Sequence, residues 1–184
     1  LRGRHEELAG SAELRGFVTL ASDLIRYRRT AQYTAVPENV ASAVLFGAEL
    51  GATGRLGRHV TLAGALTLLD TRTEHLGRVQ RLPLRPWITA YVRPAVAAFD
   101  VGPLDRVELW ADLTHVGENA LDPANSAFLP ARTRVGLGAS LHVGEERMRV
   151  DLSVRDVFDG RGTDLLGFPL PGRTFAAALT LRTD

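Results

Sequence analysis

The fold class of this chain follows from one stretch near the C-terminus, Met148-Arg149-Val150-Asp151-Leu152-Ser153-Val154-Arg155. Its apolar and polar residues alternate strictly. Successive side chains of a β-strand point to opposite faces, whereas a helix with 3.6 residues per turn would distribute the same pattern around its axis. The stretch therefore predicts a strand with one apolar and one polar face.

Seven further segments alternate in a similar way, and together they predict an all-β protein of about eight strands. The clearest are residues 107–114 and 134–143, and the others are 13–27, 43–53, 59–69, 87–98 and 174–182. Pro94 lies inside the segment 87–98. Because proline has no backbone N–H to donate, we expect a bulge or kink there.

The connections between these segments alternate between short and long. Residues 54–58, 100–105 and 144–147 form short turns, and residues 28–42, 70–86, 117–130 and 159–173 form long polar connections. Outer-membrane barrels have this asymmetry, with short periplasmic turns and long extracellular loops. The pattern predicts an antiparallel, up-and-down transmembrane β-barrel segment whose apolar faces contact lipid. Alternation alone also fits a soluble barrel, in which the apolar face packs into a protein core.

Composition limits the possible functions of the 184 residues. The 22 basic residues, all arginine, nearly balance 21 acidic ones, so a net charge of +1 gives no field that attracts nucleic acid. The absence of cysteine excludes disulfides and thiolate chemistry. The five histidines have no metal-ligand spacing, and no nucleophile elbow or phosphate loop is present. We therefore expect neither an enzyme nor a bound cofactor or metal.

The end of the chain contains a more specific pattern. The residues Val154-Arg155-Asp156-Val157-Phe158-Asp159 lead into a polar loop, and the chain returns through Gly167-Phe168-Pro169-Leu170-Pro171-Gly172-Arg173-Thr174-Phe175. This arrangement resembles the closing hairpin of TonB-dependent outer-membrane receptors. Residues 39–50, 66–71 with 82–86, and 125–132 resemble preceding stretches of that family, in the same order. The sequence departs from the family pattern at Ala41 (usually Gly), at Asp156 (commonly Asn) and at its non-aromatic end.

The resemblance implies that residues 1–184 are the C-terminal portion of a barrel of about 22 strands, with the plug and earlier strands absent. It implies a bacterial outer-membrane location and TonB-energised uptake of a scarce ligand such as a ferric siderophore, cobalamin or glycan. The expected partners are outer-membrane lipid, a TonB-type energy transducer acting through the plug, and a small-molecule or metal-chelate ligand. Candidate ligand-contacting loop residues, chosen as polar or aromatic, are Tyr33, Arg72, His75, Arg78, Asn119, Asn125 and Arg161.

Besides an outer-membrane barrel enzyme, for which no convincing nucleophile–base set is visible, two other functions remain open from the residues themselves. One is a self-contained eight-stranded outer-membrane protein with a structural or adhesion role, whose first and last strands would have to pair. The other is a soluble lipocalin-like binding barrel, in which residues such as Val150 and Leu152 would point into a dry interior.

Overall fold

The computed structural model describes residues 8–29, 35–75, 77–145, 147–165 and 167–182, and within these ranges it contains strands and no helix. Accordingly, no helix in the described ranges is long and apolar enough to span a membrane. All eight predicted strands are present, which confirms the all-β prediction. The strands are β1 Leu8–Arg29, β2 Ala35–Leu56, β3 Val60–His75, β4 Arg78–Gln80, β5 Ile88–Val101, β6 Leu104–Val116, β7 Asn119–Ala120, β8 Phe128–Leu129, β9 Arg132–Val143, β10 Met148–Arg155, β11 Thr163–Leu165, β12 Phe168–Pro169 and β13 Thr174–Leu181.

The long strands form one antiparallel sheet in the order β1-β2-β3-β5-β6-β9-β10-β13, and β4 pairs with β3. Each long strand therefore lies beside its neighbour along the chain, which confirms the up-and-down topology. Within the described ranges, the first and last strands of this series each pair with only one other strand. The sheet is open, so the structure does not support the alternative of a self-contained, closed barrel.

The connections differ from the prediction at one end of the sheet. Residues 28–42 were predicted as a long connection, but β1 and β2 pair up to Arg29 and Ala35. That prediction was wrong because backbone pairing continues through a polar stretch whose side chains give no strand signal. The other three long connections contain short strand pairs, formed by β4 with β3, by β7 with β8 and by β11 with β12. At the opposite end the predicted short turns are confirmed, and each contains a glycine with positive φ: Gly57, Gly102 and Gly144.

Pro94 does not produce the expected bulge. The partners Val92↔Leu113 and Ala95↔Trp110 keep a constant register between β5 and β6, and Pro94 itself pairs with Leu62 of β3. The sheet accommodates the missing N–H donor by losing ladder contacts locally, without inserting an extra residue.

The two faces of the sheet have opposite characters. One register row contains only apolar residues, and we call this side the apolar face: Val96, Leu109, Ala139, Leu152 and Ala177. On the other side, the polar face, Glu108, Ser140 and Asp151 form one row. The side chain of Glu108 is only 21% exposed, whereas its neighbour Leu109 is 53% exposed.

This pattern of exposure is the reverse of that in a water-soluble protein. In β5, the apolar-face residues Val92, Pro94, Val96 and Ala98 are all exposed, while the residues between them are partly buried. The buried hydrophobic residues in the described ranges are only Ala43, Ala120 and Leu129. Since no dry core lies behind the apolar face, the structure does not support a soluble barrel.

Candidate functional site

Charged residues on the polar face neutralise one another within single strands. Residues two apart on a strand point to the same side, and Arg149 Nε lies 2.7 Å from Asp151 Oδ2. Arg106 pairs in the same way with Glu108. Ser140 on the next strand also donates a hydrogen bond of 2.6 Å to Asp151. These pairs allow charged side chains to be partly buried against the sheet at low electrostatic cost.

Glycines on the polar face make room for two large or charged side chains of β6. Trp110 pairs with Gly138 of β9, and a Cβ at position 138 would overlap the indole ring. A Cβ at Gly136 would similarly overlap the carboxylate of Asp112. The Arg93 guanidinium stacks over the Trp110 ring with its Cζ 4.0 Å from the centroid. The indole therefore lies flat on the sheet and holds a cation above it.

This stacked pair forms one wall of a polar-face pocket of about 480 Å³ at the end of the sheet that carries the long connections. Its charged lining consists of four arginines and three aspartates, contributed mainly by β5, β6, β9 and the chain around β10 and β11: Arg93, Arg132, Arg134, Arg155, Asp112, Asp156 and Asp164.

The charges in the polar-face pocket are only partly matched. Arg132 forms an ion pair with Asp164, and Arg134 Nε lies 3.9 Å from Asp156 Oδ2. Arg155 forms no ion pair with any described residue, and neither do Arg93, whose guanidinium stacks on the Trp110 ring, and Asp112. The pocket therefore presents unneutralised positive charge beside an aromatic surface.

The motif that closes the chain shapes one edge of this pocket. Asp156 is 4% exposed and has a φ of 52°, a conformation in which Asp and Asn are tolerated better than most residues. The Asp159 carboxylate accepts a hydrogen bond of 2.7 Å from the Arg173 N–H. A Cβ at Gly172 would overlap that carboxylate, which explains the glycine in Pro-Leu-Pro-Gly-Arg. The motif thus ties both ends of the 156–173 loop together.

Two of the predicted ligand-contacting residues are not free to meet a ligand from solvent, because one joins two loops and the other is buried. The Asn125 side chain joins two long connections, because its Oδ1 accepts from the Arg81 N–H at 2.8 Å and its Nδ2 donates to the Arg81 carbonyl at 3.0 Å. Asn119 is buried, and its Oδ1 has no hydrogen-bond partner among the residues that the structure describes.

Of the other predicted residues, Arg72 lines a cleft together with Asn125, and no other described member of the set lines that cleft. Arg72 lies on the apolar-face side of β3, stacked over Phe46 at 5.1 Å. Arg78 and Arg161 are exposed. Tyr33 lies outside the described residues, and for His75 only the backbone, at the end of β3, is described.

Asp122 organises the same connection as Asn125. Burial by itself would raise the pKa of Asp122, but hydrogen bonds from the Ser126 and Ala127 N–H groups, the Ser126 hydroxyl and the Ala124 N–H outweigh burial and lower the pKa below 3.8. These bonds make the 122–127 segment a compact turn.

The polar-face pocket was not predicted as a unit. The alternation in residues 87–98, 107–114 and 148–155 assigns Arg93, Asp112 and Arg155 to the polar sides of their strands. The register across four strands is needed to bring them together. A signal was present in the glycines of β9, because Gly136 and Gly138 occupy the side of the strand on which Trp110 and Asp112 need space. Among the described residues, no group of His, Asp or Glu side chains is arranged to hold a metal ion.

Comparison by sequence gives no relatives, because neither a protein-family model nor a curated protein matches the chain. Comparison by structure identifies similar proteins. The copper transporter OprC superposes with a TM-score of 0.73 and 19% identity, over 92% of this chain and 28% of that chain. BauA, the ferric preacinetobactin receptor from Acinetobacter baumannii, gives 0.71 and 17%, over 92% and 27%. FyuA, the ferric yersiniabactin uptake receptor from Yersinia pestis, gives 0.70 and 16%, over 93% and 26%.

The chain therefore spans about a quarter of the length of these structures. At such identities the likeness concerns the fold. The structural neighbours are TonB-dependent outer-membrane receptors, which are transport proteins and not enzymes. The resemblance predicted from the sequence is thereby confirmed at the level of structure: the chain has the fold of a transmembrane β-barrel wall of the kind found in TonB-dependent receptors.

Proposed function

We propose that residues 1–184 form the C-terminal part of the barrel wall of a bacterial outer-membrane receptor that imports a scarce ligand with energy supplied through TonB. The observation that carries this proposal is the open sheet, in a chain of which 92% superposes on about a quarter of the copper transporter OprC. The remaining strands and a plug would be supplied by other parts of the full-length protein.

In this role the two faces have separate tasks. The apolar face contacts hydrocarbon, where its exposed leucines and valines need no protein cover. The polar face lines the water-filled interior and borders the plug, which the energy transducer would move. The ion pairs within single strands, such as Arg149 with Asp151, keep that wall polar while neutralising its charges, so these side chains need no partner from the plug.

The polar-face pocket supplies the ligand chemistry that we propose for this part of the wall. Arg93 and Arg155 favour a ligand with negative charge, and Trp110 offers a flat apolar surface beside them. Of the seven loop residues predicted from the sequence, Tyr33, His75, Arg78 and Arg161 stay candidates for this contact surface, whereas Arg72 and Asn125 contact other parts of the protein and Asn119 is buried. A ferric siderophore, cobalamin or glycan is the proposed cargo.

Ligand uptake, compared between a strain that lacks the full-length gene and the same strain carrying it, tests this function. Each ligand class is supplied in turn as the limiting nutrient, with the energy transducer present or deleted. We expect loss of uptake for one class, restored by the intact gene only when the transducer is present. Uptake that does not depend on the transducer, or a gene product absent from the outer-membrane fraction, would contradict the proposal.

A pair of variants locates the ligand contact. Arg155→Ala removes an unpaired cation from the polar-face pocket, whereas Arg149→Ala removes a cation that is already paired and lies outside it. We expect weaker ligand binding only for the first variant. Equal ligand binding by the two variants would show that the ligand does not contact the polar-face pocket.

A further inference from the structure

Strands β5 and β6 place two opposite charges side by side in the polar-face pocket. The partners Val92↔Leu113 set the register, so that Arg93 of β5 lies opposite Asp112 of β6, and both residues line the pocket. Opposite residues of an antiparallel pair have Cβ atoms about 5 Å apart, so an ion pair would be the simplest contact between these two side chains. They form none, and the Arg93 guanidinium lies over the ring of Trp110 instead.

The carboxylate of Asp112 is directed toward β9 and away from Arg93. Asp112 pairs with Gly136 of β9, and its carboxylate occupies the space that a Cβ at position 136 would need. On the far side of this glycine, the register of β9 and β10 places Arg155. Arg155 lines the same pocket and forms no ion pair with a described residue. The glycine therefore lets Asp112 lie between two arginines while it pairs with neither.

The other charges of the polar-face pocket are matched within the protein. Arg132 forms an ion pair with Asp164, and Arg134 lies 3.9 Å from Asp156. On the same face outside the pocket, arginines of β6 and β10 each pair with a carboxylate two residues along their own strand. Within the part of the chain that the structure describes, the three unmatched charges of the pocket thus form a single row across β5, β6, β9 and β10. We call it the unmatched row, and its charges are positive, negative and positive in that order.

We propose that the unmatched row binds a ligand group with the complementary order of charges, namely a carboxylate, a protonated secondary amine and a second carboxylate. The two carboxylates would accept hydrogen bonds from Arg93 and Arg155, and the amine would donate to Asp112. Stacking on Trp110 uses the face of the Arg93 guanidinium and leaves its in-plane N–H groups available, in the planar fork that suits a carboxylate. The proposal rests on the transport role given under Proposed function. Among the cargoes named there, it favours a siderophore of the aminocarboxylate type over cobalamin or a neutral glycan.

The spacing of the strands fits a compact group of this kind. Three strand intervals of about 4.8 Å separate the backbones of Arg93 and Arg155 by about 14 Å. The Arg93 guanidinium already lies one strand nearer the centre of the row, because Trp110 belongs to β6. The exposed side chain of Arg155 extends from the opposite side. Both guanidinium groups can therefore approach a ligand amine that is held by Asp112.

Binding of two nearly isosteric probes to the purified full-length protein tests the proposal. Iminodiacetate carries a protonated amine between two carboxylates, and glutarate carries a methylene group in the same place. Dissociation constants are measured in metal-free buffer at neutral pH by ligand-observed NMR. Asp112→Asn, Arg93→Gln and Arg155→Gln alter the unmatched row. Asp151→Asn and Arg149→Gln are the matched controls, because these two residues pair with each other and lie outside the pocket.

We expect the unaltered protein to bind iminodiacetate about tenfold more tightly than glutarate, which is the contribution of one charged hydrogen bond. Asp112→Asn should abolish this preference, each arginine variant of the row should weaken binding of both probes about tenfold, and the controls should bind as the parent does.

Three results would overturn the proposal: equal affinity of the parent for the two probes, no binding of either probe because another part of the protein covers the row, or a preference that survives Asp112→Asn. The comparison of the two probes on the unaltered protein does not depend on the folding of any variant. Transducer-dependent uptake is measured separately, so failure of this site and failure of the transport function are distinguishable.

Discussion

Arginine substitutions at two neighbouring positions of β9, one on each face of the sheet, should differ in their effect on the stability of the folded protein. Ala139 lies on the apolar face between Leu109 and Leu152. The next residue, Ser140, lies on the polar face between Glu108 and Asp151. Ala139→Arg therefore places a guanidinium among leucines in contact with hydrocarbon, whereas Ser140→Arg places the same group between two carboxylates.

The position of the substitution within the bilayer sets the size of the effect. Ala139 is the eighth of the 12 residues of β9, Arg132–Val143. It therefore lies about 5 Å along the strand from the middle, or about 4 Å in depth at a tilt near 45°. Arginine on the lipid face near the midplane costs about 2–4 kcal/mol. Ala139→Arg should reduce the folding equilibrium constant about 30- to 700-fold, at about 1.4 kcal/mol per factor of ten.

Urea titration of the full-length protein in lipid vesicles measures this difference, with the folded fraction read from the heat-modifiable band on gels. We expect a clearly lower midpoint for Ala139→Arg and a midpoint close to the parent for Ser140→Arg, which exchanges one hydrogen bond for two favourable charge contacts. A larger loss for Ser140→Arg than for Ala139→Arg would refute the assignment of the two faces.

Two other substitutions test local features. Gly138→Ala should lower the free energy of unfolding by about 1–3 kcal/mol, because the new methyl group would overlap the Trp110 ring, while Gly51→Ala, with open space at its Cβ, should have little effect. Asp122→Asn should raise hydrogen exchange at the Ala127 N–H, since the hydrogen bonds to its carboxylate are weakened. Because the folded pKa of Asp122 is lowered, the stabilisation is present above pH 3.8 and lost as the pH falls through the lowered pKa. The parent protein should therefore show the same loss of protection, measured against an unstructured peptide at the same pH, only in acid. Equal protection in parent and variant at pH 7 would contradict this interpretation.

The strands and their faces were predictable because a period of two is a local property of the sequence. The alternating positions of residues such as Met148, Val150 and Leu152 are enough to assign them to one face of the strand. The extension of β1 and β2 to Arg29 and Ala35 was not predictable, since its support is backbone pairing between polar stretches. The two- and three-residue strands of the long connections are too short to show a period at all.

The candidate site was predictable only in part, because it depends on register between strands that are distant in sequence. Arg93 and Asp112 were assigned to the correct face, but their proximity to Arg155 follows from the pairing of β5, β6, β9 and β10. Asn125 illustrates a second difficulty. A polar residue in a loop is equally suited to contact a ligand or to join two loops, and its two hydrogen bonds with Arg81 are visible only in three dimensions.

Spin-label accessibility tests the central claim most directly, namely that the apolar side of the sheet faces lipid and the charged side faces water. The chain contains no cysteine, so single cysteines for labelling can be introduced at Leu109 and Leu152 on one face and at Glu108 and Ser153 on the other. In vesicles containing the full-length protein, labels at the two leucine positions should collide mainly with dissolved oxygen. Labels at the other two positions should collide mainly with a water-soluble nickel reagent. Nickel accessibility at Leu109 and Leu152, or protection of both from oxygen and nickel as in a dry core, would contradict the account.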